Sequence, residues 1–191
     1  MHTIYHTRAV ILKSSPAREA DKMFWLFTEE LGLVVAIATG VRKGESKLKG
    51  QLTDYAFVSV DLVRGKDIWR LISASEEFNP LIGIVHSQLA RAYVRTLGTL
   101  ERFLVDEGVH PELWDHIQEC AHALQDTAID ARVYDTLAIW RILVHLGYIA
   151  VDADQERLFT ESFAHAMGSI DEEKMRHMIK VVNETIVHTH L

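Results

Sequence analysis

The chain has 191 residues, 48% of them apolar, and a formal charge of −7, which is ample for one domain or two small ones and excludes global disorder. A lone cysteine, Cys120, excludes an internal disulfide and a cysteine-rich zinc site, so packing must supply the stability. No basic apolar leader opens the sequence and no apolar run approaches a membrane span, so a soluble, cytoplasmic protein without membrane contact is expected.

The first residues read as short β segments: Tyr5 to Leu12, Lys22 to Thr28, Leu33 to Ala38, Leu52 to Val63 and Asp67 to Ser73. Aromatic and β-branched residues fill them, and Gly32, Gly40, Gly50 and the turn Arg64-Gly65-Lys66-Asp67 separate them. Five strands at this spacing predict a small barrel. Along 52–62, Leu52, Ala56, Val58, Val60 and Leu62 fall on one face and Thr53, Tyr55, Ser59 and Asp61 on the other.

Near Pro80 the period becomes helical. Leu81, Ile82, Ile84, Val85, Leu89, Tyr93, Leu97, Leu100, Phe103 and Leu104 predict one helix of roughly six or seven turns. Pro111 opens a helix through Leu124, and Asp130 caps another that stops at Gly147. Ser162 to Met167 reads as a short helix, and Ser169 with Glu172 resembles a capping box for the last one. The fold class is therefore α+β, a five-stranded barrel over 1–79 followed by a helical bundle over 80–191.

Charge divides at the same place. Through Pro80 there are 11 Lys and Arg against 10 Asp and Glu; subtracting these from the chain's 20 and 27 leaves 9 against 17, so the two parts carry +1 and −8. Between Gly40 and Gly50, Arg42, Lys43, Lys47 and Lys49 face only Glu45. Such a cluster serves either as a solvated loop or as a phosphate contact.

Catalytic signatures are missing from the sequence: there is no Gly-rich phosphate loop, nucleophile elbow or partnered cysteine nucleophile. His116 and Cys120 share a helical face, but His122 is rotated about 240° from His116 at the helical angle per residue, so three ligands do not converge. Neither an enzyme nor a resident metal or cofactor is expected.

The ordered set Tyr5-x-Thr7-x-Ala9-x-Ile11-Leu12, Glu19-Ala20-Asp21-Lys22, Phe27 to Gly32, Ala38 to Lys43 and Ser46-Lys47-Leu48 resembles the N-terminal OB domain of RecO proteins, and Leu143 to Tyr148 is similar to that family's second domain. The resemblance implies an OB-fold DNA repair and recombination mediator. Such a protein binds single-stranded DNA, anneals strands and engages the acidic tail of the single-stranded-DNA-binding protein. It works with RecR in the RecF/RecR pathway to load RecA, and is cytoplasmic and nucleoid-associated. Many relatives carry a zinc-binding cysteine cluster just after the Gly-Tyr, where this chain reads Ile149-Ala150-Val151-Asp152-Ala153-Asp154.

OB barrels hold single strands on cations and exposed aromatics. Arg42, Lys43, Lys47 and Lys49 are the expected phosphate contacts, with Arg8, Lys13 and Lys22 as additions. Tyr55 is the first aromatic candidate, ahead of Phe57, which is expected in the core, and Trp69. Of Phe24, Trp25 and Phe27, at least one is expected to be exposed or to pack on the helical domain. Arg91, Arg95 and Arg102 on one helix either receive the acidic tail or pair with the domain's own carboxylates. The competing reading is a protein-interaction adaptor with only weak DNA contact, which the acidic surplus after Pro80 favours.

Overall fold

The computed structural model describes residues 3–42, 48, 50–84, 87–105, 108–126 and 128–189. The chain divides into two compact units, residues 1–81 with 105–111 and residues 82–104 with 112–191.

In the first unit, β1 (Ile4–Pro16), β2 (Lys22–Thr28), β3 (Gly32–Ala38), β4 (Phe57–Arg64) and β5 (Trp69–Phe78) close into a barrel in the order β1-β2-β3-β5-β4, with β4 returning to β1. The β3–β5 pairing is parallel and the others are antiparallel, the five-stranded OB arrangement. Alternation explains the core: Phe24 and Leu26 of β2, Val34 and Ala36 of β3, and Val58, Val60 and Leu62 of β4 point inward with Ile11 and Leu71. β1 pairs with both β2 and β4, and its register slips between Ile11 and Lys13, where a bulge re-aims the strand.

Three strands differ from the sequence reading, and the first of them, β1, runs four residues past Leu12 to Pro16. β4 starts at Phe57, because Tyr55 takes a left-handed backbone (φ 72°) and donates its N–H to the Ile11 carbonyl at 2.8 Å. Tyr55 and Phe57 therefore do not share a strand face. β5 runs on to Phe78, its second half alternating exposed Ser75 and Glu77 with half-buried Ala74 and Glu76.

The second unit holds α1 (Gln88–Phe103), α2 (Pro111–Ala123), α3 (Ala131–His145), α4 (Glu156–Thr160), α5 (Phe163–Gly168) and α6 (Glu172–His188). Pro111 does stand at the first turn of α2, Asp130 does cap α3, and the chain does leave α3 through Gly147 (φ 77°). α1 is shorter than its apolar period predicts. Residues 80–84 form turns, with Gly83 at φ 84°, and Ser87 starts the helix by accepting the Ala90 N–H on its Oγ at 2.9 Å; Val85 lies outside the described residues. The cap of α6 is Asp171 rather than Ser169, its Oδ1 accepting from the Glu173 and Lys174 amides. α3 buries Tyr134, Leu137, Ala138, Trp140, Ile142 and Leu143, side chains from every part of its circumference, which makes it the central helix of this unit.

Candidate nucleic-acid interface

At one mouth of the barrel, backbone hydrogen bonds hold the β1–β2 loop to the segment after β3. Gly40 donates its N–H to the Asp21 carboxylate at 2.8 Å, and Arg42 donates its N–H to the Ala20 carbonyl at 3.0 Å. Asp21 is 8% exposed, so this carboxylate is spent on fixing the loop rather than on solvent. The result presents exposed Arg42 beside Lys22, and together with Phe24, Val41 and Leu52 they line a cleft of about 390 Å³. Lys22 Nζ donates to Ser14 Oγ at 3.1 Å across the ladder. Lys43, Lys47 and Lys49 lie outside the described residues.

Lys13 and Trp25 are cross-strand partners on the outer side of β1 and β2, with Lys13 Nζ 4.5 Å from the indole centroid. Trp25 is half-buried, whereas Phe24 and Phe27 are fully buried, so Trp25 is the exposed member of that trio. Arg8 is differently engaged: its Nε donates to Glu77 at 3.0 Å and its Nη1 lies 3.8 Å from Glu29. A phosphate at Arg8 would compete with two carboxylates. Phe57 is 3% exposed and packs near Phe78, and Trp69 is 7% exposed with its ring edge-on to Tyr5. Neither ring offers a face to a base. Tyr55 is half-buried in its turn, and burial together with Asp54 raises its hydroxyl pKa above the ordinary value.

A second feature belongs to the helical unit. A groove of about 540 Å³ runs among α1, α3 and α6, with Ile139, Ile179, Val182 and Ile186 below and Arg91, Arg95 and Arg132 beside them. The structure thus brings Arg91 and Arg95 together but leaves Arg102 outside, its guanidinium 5.5 Å from the Phe103 ring. Arg132 on α3 takes the third place, which spacing along α1 alone does not reveal. Arg95 pairs with Asp135 at 3.0 Å, and Arg132 lies 3.6 Å from Glu172.

The family model described as Recombination protein O N terminal matches residues 1–76, the barrel unit. The match marks the barrel unit as similar to the N-terminal part of RecO proteins. Similar proteins named DNA repair protein RecO occur in Clostridium novyi (28% identity over 148 residues, 76% of this chain and 57% of the relative). Another is that of Gloeothece citriformis, 28% identical over 157 residues, 81% of this chain and 54% of the relative. That of Dehalococcoides mccartyi strain 195 is 30% identical over 124 residues, 64% of this chain and 49% of the relative. The chain spans about half the length of the curated relatives it matches.

The zinc cluster of many RecO proteins does not fit this chain. Among the described residues, no three His, Cys, Asp or Glu side chains are grouped to hold a metal ion. His116 Nε2 faces the Ala138 carbonyl at 3.1 Å, with the Cys120 thiol 3.6 Å away, while His122 is exposed on the other side of α2. Burial drives the His116 pKa down to about 3, so the imidazole is neutral, and burial pushes the Cys120 thiol well up. The segment after Tyr148 is held by Arg141 instead, which is 3% exposed and donates to the carbonyls of Leu158 at 2.8 Å and Glu161 at 2.6 Å. Glu119 lies 3.5 Å from Arg141 and accepts the Phe163 N–H at 3.1 Å. No helix among the described residues is long and apolar enough to cross a membrane.

Proposed function

We propose that this chain binds single-stranded DNA through its OB barrel and acts in DNA repair and recombination as a non-enzymatic mediator. The observation that carries the reading is a barrel, matched by the RecO N-terminal model, whose mouth presents Arg42 beside Lys22, with Lys13 on the neighbouring strand. Lys43, Lys47 and Lys49 belong to the same stretch of sequence and are proposed as further phosphate contacts, and Arg8 as a weaker one. In this reading the protein promotes annealing of complementary strands. With RecR it also helps RecA load onto DNA coated by the single-stranded-DNA-binding protein, in the cytoplasm at the nucleoid. No cofactor enters any of these steps, since positioning and charge neutralisation do the work.

The groove among α1, α3 and α6 supports the partner part of the proposal. A groove flanked by Arg91, Arg95 and Arg132 beside an apolar floor suits a carboxylate-rich peptide, the chemistry of the single-stranded-DNA-binding protein's acidic C-terminal tail. Three of the nine cations after Pro80 are gathered at this one groove, within a part of the sequence whose net charge is −8. The same groove favours the second reading, an adaptor that binds protein partners and touches DNA weakly.

The test is fluorescence anisotropy of a labelled single-stranded oligonucleotide at two salt concentrations, with duplex alongside. Tight binding that weakens steeply with salt, prefers the single strand and is lost when Arg42, Lys43, Lys47 and Lys49 are all changed to Ala is the expected result. Absence of binding at low salt overturns the DNA reading and puts the adaptor first. Unaltered affinity in the fourfold variant removes the basic loop from the site.

A further inference from the structure

The outer face of β2 and β3 carries a row of partly exposed apolar side chains. Cross-strand register places Met23 beside Ile37 and Trp25 beside Val35, all four half-buried. Cations stand at both edges of this strip. Lys13 on β1 is the partner of Trp25, and Arg70 on β5 is exposed and is the partner of Ile37. Arg18 in the β1–β2 loop and Lys66 in the β4–β5 turn are also exposed, but Glu19 and Asp67 are their neighbours and offset them. Lys13 and Arg70 therefore set the charge of the face.

An apolar floor between two basic edges is what a single strand needs: bases want a π surface and phosphates want ammonium or guanidinium groups. In five-stranded barrels of this class the strand 2–3 face, with the loops joining strands 1–2 and 4–5, is the usual side for oligonucleotides. Resting on the single-strand reading above, we propose that Trp25, rather than Tyr55, is the base-stacking platform, and that the strand crosses β2 and β3 between Lys13 and Arg70.

Geometry links this platform to the barrel mouth. Trp25 and Lys22 are three residues apart on one strand, about 10 Å at the usual rise, and their opposite parity means that a single strand contacting both passes over the barrel rim. The ammonium of Lys13 lies over the indole in the unliganded protein. An arriving base takes the ring face and the adjoining phosphate takes the ammonium, so both ends of the existing pair are satisfied in the complex.

The chain has four tryptophans, of which Trp69, Trp114 and Trp140 are 7%, 1% and 1% exposed. Quenching of the emission by a stacked base therefore reports on Trp25, over a background from the three buried rings. The experiment titrates the full chain with unlabelled oligo(dT) while reading tryptophan emission, and in parallel follows a labelled oligo(dT) by anisotropy. Quenching that saturates with the anisotropy curve is expected. Trp25→Leu, which keeps apolar bulk without a ring, should lose about tenfold or more in affinity, whereas Trp25→Phe should retain most of it. Anisotropy binding without quenching, or with Trp25→Leu binding as tightly as the unmodified chain, overturns the platform and leaves the single-strand reading intact. Absence of binding by anisotropy overturns both. Quenching in the unmodified protein decides the matter even where a variant fails to fold.

Discussion

Arg141 Nε donates to the Leu158 carbonyl at 2.8 Å from a side chain that is 3% exposed. The same guanidinium reaches Glu161 O and Glu119, so one cation ties α3 to the segment carrying α4 and to α2. Burial pulls its pKa below the usual value while Glu119 acts against that, and the group remains charged. Replacing it with Met leaves one buried and one part-buried carbonyl without their donor and Glu119 without its cation. Arg141→Met should cost about 3 kcal/mol, read from urea unfolding followed by circular dichroism. A loss below about 1 kcal/mol would mean that water replaces the guanidinium at little cost.

His116 gives the helical unit an acid limit. Its pKa of about 3 is set first by burial and further lowered by Arg141 and His145, with the Ala138 carbonyl acting in the opposite sense. The unfolded imidazole titrates near 6.5, so between those values the unfolded chain binds a proton that the folded one refuses. Stability attributable to this residue is therefore complete above pH 6.5 and is lost as pH falls towards 3, by about 2 kcal/mol at pH 5. His116→Phe should be less stable at pH 7 yet flatter over that window. Parallel slopes for the two proteins would refute the linkage.

Cys120 is fully buried beside His116, and burial raises its thiol pKa far above the ordinary value. Nucleophilicity resides in the thiolate, so the native protein should be inert to a disulfide reagent at pH 8 over an hour. Addition of denaturant should release one equivalent of reactive thiol. Fast native labelling would mean that the α2–α3 contact opens readily.

How far the fold was legible follows from particular residues. β2 was read to its limits because Lys22 and Thr28 bound an alternating aromatic run, and α3 because Asp130 and Gly147 punctuate it. The start of β4 was not, since nothing at Tyr55 signals a left-handed turn that residues such as Gly and Asn more often supply. α1 was overextended because apolar period continues through Ile82 and Ile84 even though Ser87 supplies the cap. α4, at five residues, is too short to show a period. The basic cluster was visible as composition. Which aromatic is exposed was not, because Trp25 and Phe27 have the same strand parity and only tertiary burial separates them. Arg132 joins Arg91 and Arg95 from another helix, a proximity that no spacing in sequence encodes.

Gly65 closes the β4–β5 turn with its N–H donated to the Ile68 carbonyl at 3.1 Å. A Cβ at this position would sit 2.4 Å from that same carbonyl oxygen, a backbone atom that cannot step aside without opening the turn. Gly65→Ala should destabilise the barrel by about 1–3 kcal/mol, and thermal melting followed by near-ultraviolet dichroism reads the loss. An unchanged melt would show that the turn re-forms around the methyl group.

Tyr93 makes the opposite prediction. Its ring is fully buried in α1, its hydroxyl has no hydrogen-bond partner among the described residues, and burial holds its pKa far above the ordinary tyrosine value. An unmade hydrogen bond in the interior costs free energy that the unfolded chain, solvated by water, does not incur. Tyr93→Phe deletes that oxygen while keeping the ring that packs in the helical core, leaving a space no larger than the hydroxyl itself. The two terms oppose each other, and desolvation is the larger for an oxygen with no partner. The variant should be as stable as the parent or more stable by about 1 kcal/mol in urea unfolding. A loss of more than about 1 kcal/mol would mean that the hydroxyl bonds a buried water, and that this water belongs to the helical core.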